Sequence, residues 1–472
     1  MASDFASLRL CVRTKSRKTL DQLRDYESRN ITFVEPDGSW PIVWERARGV
    51  HVWDVEGKKY LDLTAAFGVA ATGHANPRVV RAGQKQMAKL LHAMGDVHPH
   101  ALKAQLAREL STITFEKWSK IQGPGSKAAA RVTGKTIFCN SGFEAVEAAL
   151  KTALLATGKR GVIAFEGAYH GLGYGALNAT HREHFRAAFR KQLGGFTCFA
   201  PFPQCDRCAC DVMDAEKRGS LCGQLPSIER HLRKLFQKHR MGAILVEPIQ
   251  VRGGINSPGH EFLPMLRSLC DEFGALLILD EIFTGFGRTG RWFACEWSKT
   301  IPDLICLGKA LTGGFPLSAC VGRANVMDKA WPKSNGEAIH TSTFLGHPVG
   351  CAMALAQIEE LRSTGLVERC ARDFWTVIPS MLSTVTDGLP EKTVGLRGNC
   401  LLAGLELRLA NGQPATEIAL KIIKRMLHRG FVLLPEGEHS NVVSFTPPLT
   451  ITKAQLSRTI RALGEELRLL HS

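Results

Sequence analysis

Between about residues 135 and 325, short continuous apolar runs alternate with longer stretches of helical period. The runs fall at 136–139, 161–165, 242–247, 275–280 and 304–307. Apolar runs this short, bounded by Gly, Pro and charged residues, predict strands covered on both faces. Strands separated by helix-length segments predict a mostly parallel sheet wrapped by helices, an α/β class. Residues 49–63 change to period two around a Val-Glu-Gly turn signal and predict a hairpin. Residues 76–118 predict mostly helix. A long helical segment after about 350 is followed by strand-like runs at 399–408, 430–434 and 441–445, then a final helix from about 452. These predict a smaller α+β unit packed with the N-terminal hairpin. The organisation read from this pattern is an N-terminal segment 1–75, a large domain 76–349 and a C-terminal small domain 350–472.

Two of the apolar runs end in chemistry. Asp280 closes Gly-Ala-Leu-Leu-Ile-Leu-Asp, and Lys309 follows Pro-Asp-Leu-Ile-Cys-Leu-Gly. In open α/β sheets ligands bind at the C-terminal ends of the strands. A lone carboxylate and a lone amine at that edge suit a cofactor with a basic nitrogen at one end and an aldehyde at the other. Pyridoxal 5'-phosphate has both, and is held through a lysine with an acidic partner on its pyridine nitrogen.

Further motifs lie at the same predicted edge. Asn140-Ser141-Gly142-Phe143-Glu144 opens a helix straight after a strand, with the S-x-x-E pattern of a capping box. The free N–H groups there and the Ser141 hydroxyl form a phosphate site, or simply a capped helix. Tyr169 and His170 follow the next strand, where an aromatic ring either stacks on a planar cofactor or belongs to the core. Glu247 ends another strand and reads as a supporting carboxylate. Thr343 lies in a polar segment after His340, where hydroxyls suit phosphate oxygens or a plain turn. Gly134-Lys135-Thr136 is no phosphate loop, because the glycine that pattern needs five positions earlier is Ala129.

Composition narrows the field. The 472 residues exceed one simple core and imply two or three domains. The net charge of +16 raises nucleic-acid binding. However, the basic residues are mixed with acids along the chain and lack the aromatic interleaving of single-strand binders. The charge is better assigned to anionic substrates and a phosphorylated cofactor. No apolar run reaches the roughly 18 residues of a membrane span. The basic stretch Arg9 to Lys18 resembles a transit peptide in composition, against which Asp4 speaks. Fourteen cysteines, many in apolar segments, predict a reducing cytoplasm. Neither a nucleic-acid nor a membrane partner is expected. Cys205, Cys208, Cys210 and Cys222 lie in an apparent insertion, 201–225, and read either as a structural zinc site or as free thiols. No metal is assigned.

The order and spacing of these motifs resemble the class III aminotransferases, the fold-type I pyridoxal-phosphate enzymes that include 4-aminobutyrate, ornithine, acetylornithine and ω-amine transaminases. The resemblance runs from about residue 40 onward. It rests on Asp280-Glu-Ile-Phe-Thr-Gly-Phe-Gly-Arg-Thr-Gly290, Pro302-Asp-Leu, Gly308-Lys309-Ala, Thr343-Phe344 and Pro348, with Gly73-His74-Ala-Asn-Pro77 and Pro447-Pro448-Leu449. It implies a seven-stranded, mostly parallel sheet in the large domain. It implies Lys309 as the residue joined to the cofactor aldehyde and Asp280 on the pyridine nitrogen. Ser141, Gly142 and Phe143 would bind the phosphate, with Tyr169 and Ile282 on the two ring faces. Thr343 would reach the partner's phosphate in a homodimer with shared active sites. The implied activity is transfer of an amino group from an ω-amino acid or amine to a keto acid such as 2-oxoglutarate or pyruvate. An ornithine- or acetylornithine-type aminotransferase, or a racemase or epimerase on the same fold, remains open as an alternative.

Departures from the family lie on the substrate side. Leu172 and Ser444 stand where relatives carry arginines, Arg252 where they carry glutamate, and Phe283 where many carry glutamine. Arg252 is therefore expected to bind the keto-acid carboxylate, unless it is a surface arginine. Phe67 is expected in the apolar pocket wall.

Overall fold

The strands of the chain gather into three sheets in the computed structural model, which describes residues 14–36, 38–121, 132–204, 223–375, 378, 380, 383 and 393–471. In chain order they are β1 (Trp44–Arg48), β2 (His51–Asp54), β3 (Lys59–Asp62), β4 (Gly134–Cys139), β5 (Gly161–Phe165), β6 (Thr197–Ala200), β7 (Met241–Val246) and β8 (Leu276–Asp280). They continue with β9 (Leu304–Leu307), β10 (Ser318–Arg323), β11 (Val394–Asn399), β12 (Leu402–Leu407), β13 (Phe431–Val432), β14 (Leu434–Glu436) and β15 (Val442–Phe445).

The central sheet has seven strands in the order β4-β10-β9-β8-β7-β5-β6. Only β10 runs antiparallel to its neighbours β4 and β9. Its middle strands are apolar throughout because helices cover both faces. On one face, the helix Gly142–Thr157 lays Ala145, Ala148, Ala149 and Ala153 against Leu245, Ile278 and Cys306. Small side chains there let the helix approach the sheet closely. On the other face, the helices Leu225–Lys238 and Phe262–Phe273 bury Leu232, Phe236, Leu266 and Leu269 in the larger core.

The N- and C-terminal segments share a sheet. The hairpin β2–β3 forms as its period-two pattern predicts, and β3 then pairs in parallel with β13. The four-stranded sheet β11-β12-β15-β14 completes the C-terminal part. Arg288, fully buried, donates to the backbone oxygens of Leu401 and Pro447 and ties this part to the turn after β8.

Two expectations are corrected. The run 399–408 is not one strand. The chain reverses at Cys400 (φ +50) and Leu401, so that Asn399 pairs with Leu402. The run 430–434 likewise divides between β13 and β14, which join different sheets. Gly134-Lys135-Thr136 starts β4 and is no loop. The cysteines at 205, 208, 210 and 222 lie outside the described residues. Among the described residues no helix is long and apolar enough to cross a membrane, and no cluster of His, Cys, Asp and Glu could hold a metal.

Candidate active site

Strands β4, β5, β7, β8 and β9 all run in the same direction, so their C-terminal ends deliver Ser141, Tyr169, Glu247, Asp280 and Lys309 to one edge of the sheet. Asp280 ends β8 and is 5% exposed. Its Oδ2 lies 2.8 Å from Nδ1 of the fully enclosed His170, and its Oδ1 accepts the Ile282 N–H at 3.2 Å. A carboxylate fixed on both sides keeps one orientation. His170 Nε2 is buried without a hydrogen-bond partner. Glu247, also buried, accepts the Tyr169 N–H at 3.0 Å and the Val251 N–H at 3.4 Å. Burial pushes its carboxyl up to about 7, with His170 opposing and Asp280 adding to the rise.

Lys309 follows β9 with φ +43, in the left-handed region that a non-glycine residue adopts only when its surroundings enforce it. Enclosure lowers its pKa, opposed chiefly by the negative charges of Asp280, Glu247 and Glu436. Its Nζ sits 4.8 Å from the centroid of the Phe283 ring. Phe283 in turn packs on Gly68, where an added Cβ would come within 2.9 Å of the ring. Gly68 closes a strained turn in which Ala65, Ala66 and Phe67 have φ of +47, +48 and +60. Asp62 and Thr64 hold that turn by accepting the Ala66 N–H, and His74 Nε2 fixes Asp62 at 2.7 Å. Phe67 itself is half exposed.

The helix Gly142–Thr157 begins directly at this edge. Glu144 Oε2 accepts the N–H groups of Asn140 and Ser141 at 2.6 and 2.9 Å, the glutamate half of the capping box. Ser141 Oγ is buried with no hydrogen-bond partner of normal geometry. Ile282 packs on the backbone of Gly142, whose added Cβ would lie 3.0 Å from Ile282 Cδ1. Gly171 approaches Phe143 so closely that a side chain would collide with it. The Tyr169 loop and the helix start are thereby locked together.

On the substrate side, Arg252 is half buried and has a partner. Its Nη1 donates to Glu436 Oε2 at 2.8 Å. Glu436 ends β14, is 4% exposed and is pushed up to about 7 by burial, against the opposing charges of Arg252, Lys309 and Arg182. Sequence reasoning missed it, since a lone Glu after Leu-Leu-Pro carries no motif. Ser444 spends its hydroxyl on the Leu434 carbonyl at 3.0 Å, and Leu172 is half exposed. Thr343 and Phe344 are exposed.

The family of aminotransferase class-III matches residues 33–467. The chain is a class III aminotransferase. It is 35% identical to the 5-aminovalerate aminotransferase of Pseudomonas aeruginosa, over 90% of this chain and 93% of the relative. It is 32% identical to the acetylornithine aminotransferase of Methanosarcina mazei, over 94% and 96%. Its fold superposes on an ω-transaminase of Pseudomonas jessenii solved in complex with PMP, with TM-score 0.81 and 24% identity over 95% of this chain and 97% of that one. In this aminotransferase, then, the sheet edge built from Ser141 to Lys309 is the candidate active site, and Arg252 and Glu436 stand beside it.

Proposed function

We propose that this aminotransferase uses pyridoxal 5'-phosphate to move an amino group from an ω-amino acid or related amine to a keto acid. The observation that carries the reading is the convergence of Lys309, Asp280 and the helix N-terminus at Ser141 on one edge. The residues fit the cofactor. A buried hydroxyl without a partner beside free helix N–H groups suits a phosphate. A fixed, buried carboxylate suits a protonated pyridine nitrogen. Bound there, pyridoxal phosphate supplies an electrophilic carbon and an electron sink.

Each residue has a role in this reading. Ser141 Oγ and the N–H groups of Gly142 and Phe143 hold the phosphate. Asp280, oriented by His170, keeps the proton on the ring nitrogen. Tyr169 and Ile282 bound the two ring faces. Lys309, its amine made less basic by enclosure, takes the proton from the substrate carbon and returns it one position along. Phe283 offers no polar atom to the ring hydroxyl. Phe67 frames the substrate channel, and Arg252 receives a carboxylate of the acceptor once it leaves Glu436.

The reading includes a homodimer. Leu91, Met94, Val97, Ile339 and Phe344 expose half or more of their surface along two segments that Thr341 and Asp96 tie together at 2.5 Å. Apolar side chains exposed in such a group suit a partner surface, and Thr343 would reach the partner's phosphate from there. The nine described cysteines are all free, in keeping with a cytoplasmic enzyme.

The test is spectroscopic. Purified protein given the cofactor should show the visible absorbance of the lysine-bound form, bleached by an amine donor and restored by a keto acid. Lys309→Ala should lose that band and lower turnover by about 10⁴-fold, the upper end for removal of a proton-transfer group. A wild-type protein with no band and no amine-dependent change would sink the reading.

A further inference from the structure

A cavity of about 310 Å³ shares no residue with the edge that carries Lys309. That volume is within the range of small-molecule sites. One wall is the start of a π-helix, Thr112–Glu116, which contributes Thr112 and Ile113. π-Helices are rare and recur at functional sites. This one is fixed by Ser111 Oγ, which donates to Glu116 Oε1 at 2.8 Å and accepts the Gly134 N–H at 2.9 Å. Gly134 is the first residue of β4, whereas Ser141 follows the last. The π-helix therefore meets the sheet at the opposite end of β4 from Ser141, roughly 20 Å away along this six-residue strand.

Another wall is the Trp292 ring, partly buried against the large core. The charged side chains of the lining fall into two groups. Lys117 and Arg362 are committed. Lys117 Nζ donates to Glu296 Oε1 at 2.7 Å. Arg362 donates to Glu109 and, at 3.2 Å, to Glu359, and its guanidinium lies 6.0 Å from the centroid of the Trp292 ring. These pairs cancel their own charge and hold the walls in place. Lys120 and Glu368 also line the cavity and are uncommitted. Among the described residues neither has a hydrogen bond or an ion pair, so they do not reach each other. The cavity thus offers one free ammonium, one free carboxylate and an aromatic face.

We propose that this cavity binds a zwitterionic α-amino acid with a flat apolar side chain. The ligand's carboxylate pairs with Lys120, its ammonium with Glu368, and its side chain lies against Trp292 and Ile113. A simple anion would leave Glu368 facing it, and a simple cation would leave Lys120. A zwitterion satisfies both, and charged hydrogen bonds at its two ends fix its orientation. The site lies apart from the reacting residues, and nothing in the inference depends on the transaminase reading.

The probe is N,N-dimethyl-L-phenylalanine, whose tertiary amine keeps both charges but cannot condense with an aldehyde. It is titrated calorimetrically into the holoenzyme beside two controls. One is 3-phenylpropanoate, which lacks the ammonium, and the other is N,N-dimethyl-2-phenylethylamine, which lacks the carboxylate. For a ligand of this size a Kd of about 1 mM or below is expected. Each control should bind about 3- to 10-fold more weakly, the worth of one partly exposed contact between charges. Lys120→Gln should weaken the zwitterion by that factor and leave the phenylethylamine unchanged. Glu368→Gln should weaken the zwitterion equally and leave 3-phenylpropanoate unchanged. Trp292→Leu should weaken all three. Lys120 and Glu368 are exposed, so their variants should fold. Absence of saturable binding by the wild type overturns the proposal without any variant. A zwitterion bound no more tightly than the controls overturns it too. So does binding that both charge substitutions leave intact, which would place the probe elsewhere on the molecule.

Discussion

The floor of the cleft and its mouth are built on different principles. On the floor, the oxygens of Asp280 and Glu247 meet fixed partners, and His170 and the Tyr169 N–H are locked to them within about one hydrogen-bond length. At the mouth, Arg252 and Glu436 satisfy each other, Arg182 keeps an unpaired nitrogen, and Phe67 and Leu172 expose about half their surface. The floor is preorganised for one occupant. The mouth is charged, paired only with itself, and able to exchange partners. An enzyme that must accept an amine and a keto acid in turn needs both. The chemistry has to be fixed, while the recognition has to change between half-reactions.

Substitutions can break this contrast. The largest effect on the floor, short of removing Lys309, should come from Asp280→Asn, which keeps the shape and removes the charge. A fall in kcat of about 10²- to 10³-fold is expected, as for loss of one preorganised electrostatic contact, with a smaller change in cofactor affinity. Measuring both separates the roles, because equal losses would mean that Asp280 only anchors. Next comes Gly68→Ala, which adds a methyl at φ +80 against the Phe283 ring. It should cost about 1–2 kcal/mol in denaturant unfolding. Phe283→Leu in the same chain should recover part of that loss if the contact is the cause.

The smallest effect is a slope. Glu436 titrates at about 7 when folded and at about 4.3 when unfolded, so between those values the folded apoprotein binds the extra proton. Its contribution to stability is present below about pH 4 and is lost as pH rises through 7. Glu436→Gln lacks this loss. The stability difference, variant minus wild type, should therefore move in the variant's favour between pH 5 and pH 8. A flat difference would place Glu436 in a more hydrated setting than its burial suggests.

Much of the floor was legible in the sequence, and little of the mouth. Buried parallel strands are continuous apolar runs, so 161–165 and 304–307 could be read to the residue, and with them the residues that follow each run. Asp280 and Lys309 were visible for that reason. β6 and β10 were not anticipated. The first is a four-residue edge strand, and the second, Ser-Ala-Cys-Val-Gly-Arg, has small residues where a covered strand usually has large ones. Glu281 shows the limit within one motif. Adjacent to Asp280 and equally acidic, it is aimed the other way and accepts from Thr284 Oγ1 and from the N–H groups of Ala294 and Cys295. The mouth depends on contacts between segments 184 residues apart, as between Arg252 and Glu436. No local pattern encodes such a contact. Arg252 could be picked out by type, but its partner could not.

The reversed strand β10 has a consequence for size. It lies between β4, which leads to Ser141, and β9, which leads to Lys309, and its own Ser318 donates to the Ser141 carbonyl at 2.6 Å. Neighbouring strands stand about 4.8 Å apart. The single antiparallel strand thus acts as a spacer, setting phosphate cradle and lysine two strand intervals apart instead of one. The length of molecule that the cleft can hold is counted in strands, and that count was made by the one strand running against the rest.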